Sequence, residues 1–239
     1  IRTVGGLGHF DSKMRDKVNK GKIVGPRILS SDMAVTIPNG HMEGSVAYGA
    51  KSDEEFIKFV EDNAKYGVDW IKIMITGGCL DAKVKGEQGE MQMNEHQVKI
   101  CCDKAHELGL KVCAHVESAK GVEVACKNGV DSIEPGAYMS DECLKLMKEH
   151  NAVLVSTSSP AIPLSKLDPS LTGADEVQVY NTQVLLDGII EGTKACLKEG
   201  ITVGLGTDTV CPFITHYDMW RELEYFHHLI GVTRNFALH

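Results

Sequence analysis

No stretch of this chain is apolar for long enough to span a bilayer, and its opening residues lack the pattern of a secretory signal. No two of the eight cysteines form a CxxC pair, which argues against a zinc ribbon. The glycine-rich run Val4-Gly5-Gly6-Leu7-Gly8 is not GxGxxG, and there is no Walker A motif, so nothing points to a nucleotide cradle. Positive charge is in short supply: 25 Lys and Arg stand against 33 Asp and Glu, a formal net charge of −8. That balance argues against nucleic acid or an anionic membrane as the main partner. The cysteines fall mostly on apolar helix or strand positions, such as Cys101, Cys102 and Cys113, as small reduced hydrophobes do in a cytoplasmic protein.

What is present is a globular composition, 43% hydrophobic and 24% charged over 239 residues, ample for the core of one large α/β domain. One pattern recurs. A helix-like segment ends in Gly or Asn, and two or three residues later an apolar, β-branched run begins. It occurs at Gly67, Gly109, Gly129, Asn151 and Gly200. Gly or Asn suits the left-handed position just past a helix C-terminus, so this is punctuation for repeated αβ connections and a parallel sheet. Ser52, Asn94 and Ser140 read as N-caps, and a long helix is expected from about Asp175 to Glu199 despite Gly188 and Gly192. Seven strands are expected, beginning near Ile1, Pro26, Trp70, Lys111, Ser132, Val153 and Thr202. The αβ links are short and the βα links long, notably 34–51, 76–93 and 157–174, as in an α/β barrel that builds its site on one end. A closed barrel needs eight strands, so the expected fold is an incomplete (β/α)8 TIM barrel filling residues 1–239, with no second domain.

Polar residues interrupt the strand ends. Lys72 breaks Ile71-Lys72-Ile73, His115 ends Cys113-Ala114-His115, and Asp208 ends Leu205-Gly206-Thr207-Asp208. Singly, such residues are commonly structural: a satisfied histidine, a turn aspartate, a lysine paired in the core. Three on separate strands facing one barrel mouth point to a site. Two chemistries fit. Lys72 carries a carbamate and, with His115 and Asp208, ligates divalent metal. Alternatively, Lys72 is a Schiff-base nucleophile with Asp208 as acid and base.

The stretches Gly25-Pro26-Arg27-Ile28-Leu29-Ser30, Asp69-Trp70-Ile71-Lys72, Ala114-His115, Asp131-Ser132-Ile133-Glu134 and Gly206-Thr207-Asp208 together resemble the amidohydrolase superfamily, in its imidazolonepropionase-like and Xaa-Pro dipeptidase-like branch. The resemblance implies a barrel that hydrolyses amide, cyclic amide or dipeptide bonds with a metal-activated hydroxide at a binuclear, usually zinc, centre. It makes Lys72 the carboxylated lysine, His115 a ligand, and Asp208 both ligand and general base. It also places His41 and Tyr138 on the carboxylate of a small-molecule or dipeptide substrate. A homo-oligomer is compatible with it.

Two departures stand out. The family carries an HxH pair on its first strand, and no HxH occurs here. The family reads Ile-Glu-His-Gly where this chain has Ile133-Glu134-Pro135-Gly136, and proline cannot bind metal. Glu134 is expected to face away from the site by strand alternation, leaving no substitute ligand. With the missing strand, these features suggest a fragment holding at most one metal, or a barrel that has lost catalysis.

Overall fold

A computed structural model of the chain describes residues 1–209 and 211–239. All five punctuating residues take the left-handed conformation, with φ of 79° at Gly67, 75° at Gly109, 96° at Gly129, 53° at Asn151 and 71° at Gly200. Each ends a helix and turns the chain into a strand, and asparagine is the non-glycine residue that tolerates this best.

In chain order the elements are α1 (Phe10–Asn19), β1 (Ala34–Thr36), β2 (Ala47–Gly49), α2 (Asp53–Tyr66), β3 (Trp70–Met74), α3 (Glu95–Glu107) and β4 (Lys111–Val116). Then come α4 (Ala119–Lys127), β5 (Ser132–Pro135), α5 (Asp141–His150), β6 (Val153–Ser156), α6 (Ala161–Lys166), α7 (Pro169–Thr172), α8 (Glu176–Lys198), β7 (Val203–Leu205) and α9 (Arg221–Tyr225). The caps read from sequence are in place. Ser52, Asn94 and Ser140 each accept the N–H of the third residue of their helix, and Gln97 closes a capping box with Asn94.

The seven strands form one parallel sheet in the order β2-β1-β3-β4-β5-β6-β7. Among the described residues it does not close, so the architecture is the incomplete barrel expected. Its membership differs from expectation at one edge. The segment at Ile1 contributes a single parallel bridge, Arg2 to Leu29, and β2 pairs with β1 within what reads as a loop. The expected strand near Pro26 is interrupted at Asp32, which has φ of 54°. There the Asp32 carboxylate turns to α1, accepting the Ser12 N–H at 2.9 Å and the Ser12 hydroxyl at 2.6 Å.

Period-two alternation separates the two faces of the sheet. Ile71, Ile73, Ile75, Val112, Ala114, Val116, Ile133 and Leu154 join one apolar cluster against the helices. Burying each large aliphatic side chain stabilises the fold by about 1.5–3 kcal/mol. The intervening residues, Lys72, Cys113, His115, Ser132 and Glu134, take the opposite, inner face. Seven of the eight cysteines are buried and all eight are unpaired.

The long helix α8 runs unbroken through Gly188 and Gly192, and its neighbours explain both. A Cβ on Gly192 would fall on the Ala137 carbonyl oxygen, and one on Gly188 would lie 3.0 Å from the Tyr138 nitrogen. Glycine lets α8 lie directly on the chain leaving β5. No helix among the described residues is long and apolar enough to cross a membrane.

Two stability predictions follow from this packing. Gly192→Ala forces helix and backbone apart and is expected to cost about 1–3 kcal/mol in urea unfolding. The second concerns Glu222, which is buried and accepts the N–H groups of Ser158 at 2.7 Å and Ser159 at 2.9 Å. Burial pushes its carboxyl from the usual 4.5 up to about 7, against the opposing pull of those hydrogen bonds. A raised acid pKa favours the protonated native state. Its contribution is complete below pH 4.5 and lost as pH rises through about 7. Glu222→Gln should therefore remove a decline of up to about 3 kcal/mol between pH 4.5 and 7, visible as a flatter stability profile.

Candidate active site

Lys72 is 3% exposed, and its charge is met across the sheet. Its Nζ donates to Glu134 Oε2 at 2.9 Å. The other carboxylate oxygen of Glu134 accepts from the Ser132 hydroxyl at 2.7 Å and from the Arg2 guanidinium. Arg2 also donates to Ser132 at 2.9 Å and lies over the Trp70 ring, 4.5 Å from its centroid. Glu134 thus faces inward, contrary to the expectation from sequence. The register explains it: His115 pairs with Glu134 and Cys113 with Ser132, so these four share one face, and Pro135 lies one residue beyond.

His115 sits one step above this network, in register with Met74. Its ring stacks on His41, with centroids 4.0 Å apart. Burial, with the nearby His41 and Lys72 charges, holds its pKa well below the ordinary histidine value, so the imidazole is neutral. Its Nε2 is buried and has no hydrogen-bond partner. Glu117 Oε1 faces that nitrogen at 3.4 Å, while Oε2 accepts the Cys79 N–H at 2.8 Å. Burial pushes the Glu117 carboxyl up to about 8, opposed by the Cys79 hydrogen bond and reinforced by Asp81 and Asp208.

His41 is fixed by its neighbours. Its backbone N–H donates to Gln92 Oε1 at 2.7 Å, and its Nδ1 lies 2.5 Å from Asp81 Oδ2. Burial raises the Asp81 carboxyl, but the His41 and Gly78 hydrogen bonds outweigh it and hold the pKa below the usual value. A carboxylate only accepts, so Nδ1 carries the proton. Gly78 is squeezed between these groups: a Cβ there would lie 2.7 Å from His41 Cε1 and 3.2 Å from Glu117 Oε1.

Asp208, with φ of 46°, follows β7 and is open to solvent on the side of the mouth. The surrounding protein raises its carboxyl, Lys72 and His41 pull it back, and Glu134 adds to the rise. Lys72, His115, Asp208 and His41 therefore come together at one end of the sheet. Tyr138 stands apart, half-exposed against Gly188 of α8. The loop after β3 roofs the group and is tied to α8: Asn181 accepts from Gly86 N–H at 2.7 Å and donates to the Val84 carbonyl at 3.0 Å.

Residues 1–236 match the Amidohydrolase family. The chain belongs to that family. A Bifidobacterium longum structure assigned as a prolidase superposes with a TM-score of 0.91 at 35% identity, covering 100% of this chain and 58% of that one. A Xaa-Pro dipeptidase with bound methionine gives a TM-score of 0.80 at 27% identity, covering 94% of this chain and 57% of that one. Among curated proteins, Aspergillus niger ochratoxinase is 27% identical over 227 residues, covering 85% of this chain and 46% of the relative. The chain thus spans about half the length of that relative. At family level the chemistry is hydrolysis of amide C–N bonds by proteins that generally bind divalent metals.

Do the residues here suit such a metal? Among the described residues, no three His, Cys, Asp or Glu converge as a ready-made cluster. The neutral His115, with its unpartnered Nε2, offers one nitrogen donor, and Glu117 Oε1 lies 3.4 Å from it, but among the described residues no third donor joins them. Lys72 suits a metal less well as it stands, because its amine is engaged by Glu134. Sequence reasoning missed Glu117 and Glu134, although both lie an even number of residues from inner-face groups on their own strands. Glu134→Ala removes the carboxylate from the buried Lys72 and the part-buried Arg2 and is expected to cost about 3–5 kcal/mol in chemical denaturation. Replacing the pair together, Lys72→Met with Glu134→Leu, should recover part of that loss.

Proposed function

We propose that this chain carries most of the catalytic barrel of a metal-dependent hydrolase that cleaves the amide bond of a small, carboxylate-bearing substrate of dipeptide type. One observation carries the reading: the chain folds as a parallel sheet of amidohydrolase type, and polar side chains of its strands line the inner face towards one end, with a buried imidazole nitrogen of His115 left without a hydrogen-bond partner. Active sites of α/β barrels form at this end of the strands. A bound divalent metal, zinc by family habit, would polarise the scissile carbonyl and make water a nucleophile at neutral pH.

The chain's own groups supply the rest. His115, kept neutral, offers a nitrogen ligand. Asp208 is the remaining oxygen ligand of the expected set. Open to solvent at the mouth, it is placed to take a proton from water and return it to the leaving nitrogen. His41, anchored through Nδ1 by Asp81, can donate from Nε2 to a substrate carboxylate when that nitrogen also carries a proton, and Tyr138 on the rim can add a hydroxyl. The prolidase-type and dipeptidase neighbours support an amino-acid amide as substrate.

A second reading has its own observation. The Lys72–Glu134–Arg2 network satisfies the lysine without a carbamate, which favours a barrel whose lysine is now structural and whose catalysis is impaired. It also counts against a Schiff-base role, since that amine must be free to attack a carbonyl. Both readings meet one experiment: the purified chain, supplied with zinc and bicarbonate, against a panel of Xaa-Pro dipeptides, other dipeptides and N-acyl amino acids. Hydrolysis that falls at least a hundredfold in His115→Ala and Asp208→Asn is the expected result. Turnover equal to buffer across the panel would leave the impaired-barrel reading.

A further inference from the structure

We propose that residues 78–88 form a lid over the candidate site, shut in this structure, with Asn181 of α8 as its latch and Asp81 as its link to His41. The lid goes beyond the functional reading above, from which it takes only His115 as the group to be reached. Both arms of the loop press on the strand end that carries His115. A Cβ on Gly78 would lie 2.7 Å from His41 Cε1 and 3.2 Å from Glu117 Oε1, and one on Gly89 would lie 2.4 Å from the Glu117 carbonyl oxygen. Beneath them His115 Nε2 is buried and unpartnered. A ligand reaches that nitrogen only if something covering it moves.

The loop has a fixed base and a loosely held tip. At the base, Thr76 bridges Met91, the Gly77 N–H donates to the Glu90 carbonyl at 2.9 Å, and the Ser118 hydroxyl donates to the Gly89 carbonyl at 2.7 Å. Between these points Cys79 alone, among the described residues, joins an apolar cluster, while Leu80 and Val84 are exposed. A segment that buries so little apolar surface opens locally at low cost. Glycines bracket it, Gly77 and Gly78 on one arm and Gly89, with φ of 75°, on the other. They give the backbone freedom that a hinge requires.

What holds the tip down is polar and gathered on α8. Asn181, fully buried, accepts the Gly86 N–H at 2.7 Å and donates to the Val84 carbonyl at 3.0 Å. Gln178 donates to the Leu80 carbonyl at 3.3 Å, and Lys85 pairs with the exposed Glu176. One amide side chain thus makes two of the bonds that keep the lid shut. On the inner side, Asp81 accepts the Gly78 N–H at 2.8 Å and holds His41 Nδ1 at 2.5 Å. Opening that lifts Asp81 frees His41, so the ring stacked on His115 is oriented only while the lid is closed. Closure of a loop over a site completes its arrangement in this way in many enzymes.

The test uses the full chain without metal or substrate, so its failure leaves the functional reading untouched. Amide hydrogen exchange over 78–88 and modification of His115 by diethyl pyrocarbonate are both followed by peptide mass spectrometry. In wild type, His115 is expected to react at no more than about a tenth of the rate of the exposed His216. Asn181→Ala should speed exchange in 78–88 and modification of His115 by about tenfold, with α3 and α5 exchanging as in wild type. Lys85→Ala, a surface change, should raise both by about two- to threefold. If Asn181→Ala loses its circular dichroism, Lys85→Ala decides alone. His115 reacting as fast as His216 in wild type would mean an open mouth and overturn the lid. So would His115 reactivity unchanged in the folded variants, or exchange that rises equally in 78–88, α3 and α5.

Discussion

The inner face of this sheet is organised around one buried cation. Lys72 lies in the middle of β3 with an apolar outer neighbour on each side, and its ammonium must be met by a charge from elsewhere in the chain. Glu134, two strands away, meets it. That pairing works in one register only. A shift of β5 by a single residue would turn Glu134 into the helix-facing layer and bring Ile133 against the lysine. The network also ties in the first residues of the chain, because Arg2 reaches the same carboxylate and Ser132. A segment whose one bridge runs to Leu29, outside the sheet, is thus held against the sheet by charge and by Arg2 lying over Trp70.

Above that layer the constraint changes from charge pairing to enclosure. The loop following β3 folds over the strand ends and is fastened to α8 by Asn181 and by the Lys85–Glu176 ion pair. The same helix reaches the loop and the chain after β5 because Gly188 and Gly192 let it approach the backbone. Cys79, Leu185 and Ile189 seal the contact with an apolar cluster. A helix expected to be weakened by two glycines is therefore the strut that spans the mouth, and the glycines are the condition for its position. Helix propensity is lost at those points and close packing is gained.

The parts legible in the sequence were those governed by neighbours along the chain. Left-handed Gly67 and Asn151, the caps at Ser52, Asn94 and Ser140, and the alternating apolar runs all act within a few residues, and all appear where the pattern put them. The convergence of Lys72, His115, Asp208 and His41 was legible too, since strand ends in a parallel sheet share one edge. What stayed hidden depends on register and on distant partners. Strand β2 is too short to announce itself. Asp32 interrupts its strand because α1 needs a buried acceptor for Ser12. Glu134 faces inward against the expectation from alternation, because only pairing with β4 fixes which of Glu134 and Pro135 faces Lys72.

The charges of the mouth bear on how the ligands are shared out. Glu134 offsets Lys72, and Arg2 adds a second positive charge beneath them. A carbamate on Lys72 would reverse the sign of that group directly beside Glu134, turning an attraction into a repulsion in a dry setting. Proline at 135 removes a nitrogen donor from the same strand. The donors that stay free of such pairing are His115, Glu117 and Asp208, all on the solvent side of the lysine layer. Asp81 is engaged by His41, so the uncompensated groups are two carboxyls beside a neutral imidazole. Carboxyl groups without an opposing charge therefore lie at the mouth rather than deeper in the barrel. The inner layer is thus a set of charges that answer one another, and the polar groups without such partners lie above it.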